Sequence, residues 1–176
     1  MSGAFAIFPK GLIDEACDRV RYLLAHEPIL RQWNAGGVIR SRSFGPVPGV
    51  ALPHTTVSAV SVRSESRPGG ELLQLLPIGI SIAWEEFVSV AEEGENSAAS
   101  AVAWIHRTLY ACPYLDVPEL GGDRIAERLD NLEPVSLARG TVEGDESRST
   151  FALTLEATYQ IATDLRTWTR FASPTT

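Results

Sequence analysis

The chain is poor in the residues that most chemistry needs. Its 176 residues hold two cysteines, three histidines, one methionine and a single lysine, Lys10. Cys17 and Cys112 stand far apart, with no CxxC spacing and no second pair to build a metal cage. Free thiols in a reducing compartment are the expectation, a single disulfide the alternative. HExxH and calcium-loop patterns are absent too. Lys10 lies outside any GxxxxGKS or GxxxxGKT setting, and NAGGV and ELGGD carry only glycine pairs, which mark turns more often than phosphate cradles. No GxSxG elbow is present, and the histidines offer no nucleophile-base-acid set. His26 ends a helix candidate, His54 follows Pro53 in a loop, and His106 lies within a second helix candidate. The expectation is a protein without catalytic, cofactor or metal residues.

Long apolar runs are also missing. None approaches the roughly 18–20 residues that span a bilayer. The apolar run in MSGAFAIFPKG is shorter than a signal-peptide core and has no basic start. The reading is a soluble, intracellular protein. Positive charge is scarce: 15 basic residues face 22 acidic ones, for a net charge of −7. That balance argues against general binding to a nucleic-acid backbone, and it leaves open a surface past which DNA slides without sticking. All basic residues but Lys10 are arginines. A GC-rich coding sequence accounts for this, and guanidinium forks also suit bidentate pairs at subunit interfaces.

What remains is ordinary globular material, with 44% hydrophobic and 21% charged residues. The length fits one domain, 1–176. From Lys10 to about His26, apolar residues Ile13, Ala16, Cys17, Val20, Leu23 and Leu24 keep helical spacing, with Asp14 and Glu15 early and Arg19 and Arg21 later. Pro28 ends that helix, and a short helical turn over Ile29 to Trp33 is possible. Residues 34–56, rich in glycine and proline, read as a long loop or protruding hairpin, with a strand possible over Val38 to Phe44. Thr56 to Glu65 reads as a strand, RPGG as a turn, and ELLQLL as an apolar connector.

Over PIGISIAWEEFVSVAEE, Ile78, Ile80, Ile82, Trp84, Val88 and Val90 alternate with Gly79, Ser81, Ala83, Glu85 and Ser89. This is the pattern of a long strand with one buried face. Glu92 to Asn96 reads as a break. A helix then buries Ala98, Ala101, Val102, Ile105, Leu109 and Cys112, capped by Asn96 or Ser97 and stopped by Pro113. Arg124 to Leu132 is a helical turn or an irregular strand. Val135 to Val142 reads as a strand, residues 143–146 as a hairpin turn, and TFALTLEATYQI as the last strand. Residues 163–176 form a tail without pattern. The order α, strands, α, β, β predicts an α+β domain: a mainly antiparallel sheet with helices packed on one face.

Adjacent strand residues point to opposite faces, so Glu85 and Glu86 cannot act as a close acid pair. Glu86 falls on the apolar face with Trp84. Either the strand end projects into solvent, or Glu86 meets an arginine such as Arg40 or Arg42 across a subunit interface. The tryptophans Trp33, Trp84, Trp104 and Trp168 read as core or rim aromatics.

This order resembles the tail terminator (tail completion) and neck proteins of tailed bacteriophages. The likeness lies in Gly11 to His26, in ISIAWEEFVSV and in SAASAVAWIHRTLYACPYL. It continues through Leu120-Gly121-Gly122 and the hairpin SLARGTVEGDESRSTFALTLEATYQI. The stretch from Arg124 to Pro134 is longer than the family pattern. The resemblance implies a virion protein in a ring, commonly a hexamer, that caps the tail tube and joins it to the head. Its implied partners are its own copies, a tail-tube protein and a head-completion protein, with DNA passing through the opening and no membrane involved. Assembly would occur in the host cytoplasm. Arg40, Arg42, Phe44, Glu85 and Glu86 are the candidate interface residues, and residues 34–56 the candidate segment for reaching a neighbour. The rival reading is a small α+β enzyme or ligand-binding module using His106, Tyr110 or Glu86.

Overall fold

The computed structural model describes residues 11–42, 44–59, 61–66, 68, 69, 72–87 and 91–161. Helix α1 spans Leu12–His26 and buries Leu12, Ala16, Cys17, Val20 and Leu24, the stripe its spacing requires. Asp14 and Glu15 occupy its first turn, where the helix dipole favours acids. A 3-10 turn, Leu30–Trp33, follows and is started by the Leu30 N–H donating to Glu27 Oε2 at 2.6 Å. Strands β1 (Val38–Arg40), β2 (His54–Ser58), β3 (Arg63–Ser66) and β4 (Leu72–Phe87) come next. Helix α2, Ala91–Tyr110, leads through a loop to β5 (Arg128–Val142) and β6 (Asp145–Ile161).

The strands form one sheet in the order β1-β2-β4-β6-β5. β3 pairs β4 along Leu72 to Leu75, on the edge that β2 uses further along at Gly79 to Ala83. Every pairing is antiparallel except β1 with β2. The architecture is the expected α+β. One face carries Leu76, Ile78, Ile80, Ile82 and Trp84 of β4 beside Phe151, Leu153, Leu155, Ala157 and Tyr159 of β6. These residues form one core with the apolar stripes of α1 and α2.

Several boundaries differ from expectation. ELLQLL is no connector: from Leu72 on it belongs to β4, because β3 on one side and β6 on the other take up its backbone groups. The expected Thr56 to Glu65 strand is two strands, β2 and β3. The expected break at Glu92 to Asn96 lies inside α2, which starts at Ala91. The stretch from Arg128 to Leu132 is the first part of β5, with Leu129 and Leu132 buried against the core. Bulges between Leu129 and Asn131, and between Pro134 and Ser136, absorb the extra length. Val88 to Val90 and the tail 163–176 lie outside the described residues.

Candidate functional site

The candidate residues fall at two places on the sheet. The first is the face away from the helices. There β4 presents Gly79, Ser81 and Ala83, and the sequence pattern treats that face as open. Instead Ser81 and Ala83 are fully buried. The segment 44–53 lies across them. The Gly45 N–H donates to Ser81 Oγ at 3.2 Å, and Ala152 of β6 packs beneath Gly45. His54, fully buried on β2, fastens the segment at both ring nitrogens. Its Nε2 accepts the Val47 N–H at 3.3 Å, and its Nδ1 lies 3.1 Å from the Ala51 carbonyl, so the neutral ring donates through Nδ1. Small residues on β4 are what allow loop backbone this close to the sheet.

Phe44 belongs to this arrangement. Its ring lies over Gly79 while 53% of its surface stays exposed. Arg40 and Arg42 are exposed on the segment that precedes it, beside Ile13, Val57 and Ser58 around an open cleft. Arg40 donates to Asp14 Oδ1 at 3.1 Å and approaches Asp18 at 4.0 Å. It thus ties β1 to α1 within its own chain.

The second place is the end of β4. Glu85 and Glu86 point to opposite faces, as the strand geometry demands. Glu85 accepts from Arg148 Nη1 at 3.2 Å, and that guanidinium also sits 5.2 Å from the centre of the Phe87 ring. Glu86 lies opposite Ser149 on the helix-bearing face and accepts the Trp84 indole N–H at 3.1 Å. Its other oxygen is buried without a hydrogen-bond partner among the described residues. Trp84 stacks on Phe151 at 5.5 Å and meets Trp33 edge-on at 5.6 Å, so both are core aromatics. The structure therefore brings Glu85 to an arginine of its own chain, and brings neither Arg40 nor Arg42 to Glu86. Of the residues the rival reading needs, His106 and Tyr110 stack on each other at 4.5 Å on the exposed side of α2, and Glu86 engages Trp84 instead.

Two features escaped the sequence. Arg19, only 3% exposed, reaches from α1 to the loop after α2, where it donates to the carbonyls of Leu115 (2.6 Å), Leu120 (3.3 Å) and Asp123, with Glu15 at 2.9 Å. It thereby holds the loop of Leu120-Gly121-Gly122, whose glycines adopt φ of +104° and +68°. Its place among Ala16, Cys17 and Val20 on the apolar stripe was the available signal. The other feature is the outer edge of β5. Among the described residues it pairs only β6, and every residue from Glu133 to Thr141 is exposed on both faces, Val135 at 62% and Leu137 at 43%.

The thiols are free, Cys17 buried and Cys112 half-buried. Burial pushes the Cys17 thiol up to about 11. Burial and the Asp116 carboxylate raise that of Cys112. Among the described residues no cluster of His, Cys, Asp or Glu could hold a metal ion, and no helix is long and apolar enough to cross a membrane.

No family model matches the chain, and no curated protein matches it. Among solved structures, it is similar to a chain of one described as "Virion of native gene transfer agent (GTA) particle". That likeness has 18% identity and a TM-score of 0.44, and covers 83% of this chain and 93% of the other. At that level the likeness carries no functional weight, and the reading of function rests on the residues.

Proposed function

We propose that this chain is a structural protein of a tailed-phage virion, a subunit of a ring at the head-tail junction that ends the tail tube and joins it to the head. The observation that carries the reading is β5. It is a 15-residue strand whose outer side pairs with none of the described residues, and it carries exposed apolar residues. A long open edge is a template for another chain, and proteins normally shorten or cover one. A head-to-tail contact that repeats around an axis closes into a ring. The order of elements agrees with the family resemblance: helix, long strand, helix, Leu-Gly-Gly loop, closing hairpin. The net charge of −7 suits an opening through which DNA passes without adhering.

The partners in this reading are further copies, six in the commonest arrangement of the family, a tail-tube protein and a head-completion protein. The protein acts through contacts and carries out no reaction, and it resides in the virion after assembly in the host cytoplasm. Light scattering and negative-stain imaging test this. The expected result is a ring, formed alone or on the tail-tube partner. A chain that stays monomeric at high concentration and forms no ring with that partner overturns the reading.

A further inference from the structure

We propose that the acidic tip of the β5–β6 hairpin in one copy docks on the outer face of α2 in the next, with Glu143 and Glu146 meeting Arg107. This rests on the ring reading and assigns one of its contacts.

The receiving surface is unusual for a helix in water. A surface helix normally carries charge opposite its apolar stripe. α1 does so, with Asp14, Glu15, Asp18, Arg19 and Arg21 within Leu12–His26. In α2 the three acids, Glu92, Glu93 and Glu95, all precede Ser97, and from there to Tyr110 the one fully charged residue is Arg107. Yet Ser100, Ala103, His106, Arg107 and Tyr110 are exposed, turned away from the buried Ala98, Ala101, Ile105 and Leu109. Arg107 lies 5.0 Å from the centre of the Trp104 ring and meets no carboxylate among the described residues. Tyrosine and arginine on an otherwise uncharged patch are the composition of a protein contact.

The hairpin tip has the opposite character. Val142 pairs with Asp145 across the turn Glu143-Gly144. Residues 142–147 extend past the last pairing of β6 with β4, Arg148 with Phe87. Asp145 is engaged locally, accepting the Ser147 N–H at 2.9 Å, and Arg148 is taken by Glu85. Glu143 and Glu146 are exposed and make no ion pair among the described residues. The tip thus offers two free carboxylates, and the helix face a free guanidinium with the Tyr110 hydroxyl a turn away.

One chain cannot bring these together. α2 starts after Phe87, at the tip's end of the sheet, and its far end leads into the loop that closes on the opposite end of β6, where the Glu127 N–H donates to the Gln160 carbonyl at 2.7 Å. Arg107, in the last turn of α2, therefore lies towards the end of the sheet away from its own tip. A second copy supplies the partner. The contact joins two unlike surfaces, so it repeats from copy to copy and can close. Between copies that each carry a net charge of −7, an unlike pair also sets which surfaces meet.

Charge reversal and cross-linking test the contact. Arg107→Glu should raise the concentration at which the ring dissociates by about tenfold or more, read by sedimentation velocity. Glu143→Arg with Glu146→Arg should do the same, and combining all three should restore the ring. Melting curves of these variants should match that of the unsubstituted chain, because all three side chains are exposed. In a Cys112→Ser background, Ala103→Cys with Glu143→Cys in one chain should give, with a short bis-maleimide, a covalent ladder ending at the ring's copy number. Either cysteine alone should give none. A ring that ignores the reversals and gives no ladder overturns this contact while leaving the ring reading in place. A ring that survives Arg107→Glu but loses its tail-tube partner overturns it too, because the face then takes a different protein. Absence of any oligomer from the unsubstituted chain, alone or on that partner, defeats the ring reading and this contact with it.

Discussion

The ring of Phe44 occupies the space where Gly79 would carry a side chain: a Cβ built there stands 2.6 Å from the ring. The segment 44–53 can cover the sheet because β4 offers it nothing bulky. Phe44 is exposed enough to swing aside, so Gly79→Ala should cost only about 1 kcal/mol. Its main effect should be faster amide exchange over residues 44–52. Gly36 makes the contrast, since a Cβ there would lie 1.8 Å from the Ala51 carbonyl oxygen, which is backbone and cannot yield. Gly36→Ala should cost about 3 kcal/mol or more by urea denaturation. Equal losses for the two would count against this account of the loop.

Arg19 satisfies three backbone carbonyls in the loop after α2. Replacing it with methionine keeps the apolar stem and strands those acceptors. The loss should be about 3 kcal/mol, and Arg19→Lys should recover little because an ammonium cannot span the same set. Chemical denaturation reads the stability, and proteolysis across 113–124 should rise in parallel.

Tyr159 is buried with its hydroxyl unpartnered among the described residues, and burial pushes its ionisation well above the ordinary tyrosine range. Tyr159→Phe removes a polar atom that makes no hydrogen bond. The substitution should be neutral, or stabilising by up to about 1 kcal/mol. A clear loss of stability would mean that the hydroxyl has a partner.

Cys17 supplies a pH dependence. Its thiol ionises near 9.0 when exposed and near 11 in the fold, because burial opposes the thiolate. The folded state therefore holds the proton more tightly. Its contribution is complete below pH 9.0 and is lost as pH rises through about 11. Denaturation midpoints should fall across that window, and Cys17→Ala should flatten the slope. At pH 8 a thiol reagent should reach Cys112 well before Cys17.

The sequence made one face of the sheet legible and misread the other. Alternation along β4 and β6 marked the core residues, since burial against helices leaves a period of two in bulky side chains. The same alternation presented Gly79, Ser81 and Ala83 as an open face. Small residues have no pattern that distinguishes water from a close-lying loop. The candidate residues were legible as exposed or paired charges, but not their partners. Glu85 meets Arg148, 63 positions along the chain, and Arg19 meets carbonyls about a hundred residues away, which no side-chain spacing records. The edge of β5 was hidden for a related reason. Its exposed Val135 and Leu137 look like core residues when only their polarity is read.

The strand order has a consequence for how the chain is made. β6, the last of the described strands in chain order, lies between β4 and β5. Until the ribosome has released Ile161, β4 lacks a neighbour along one whole side and β5 has no sheet to join. A nascent chain can gather α1, β2 and β4 early, yet the surface proposed to meet another subunit does not exist before the final insertion. In the proposed ring, a chain cut short before Ile161 would therefore lack the edge that meets its neighbour.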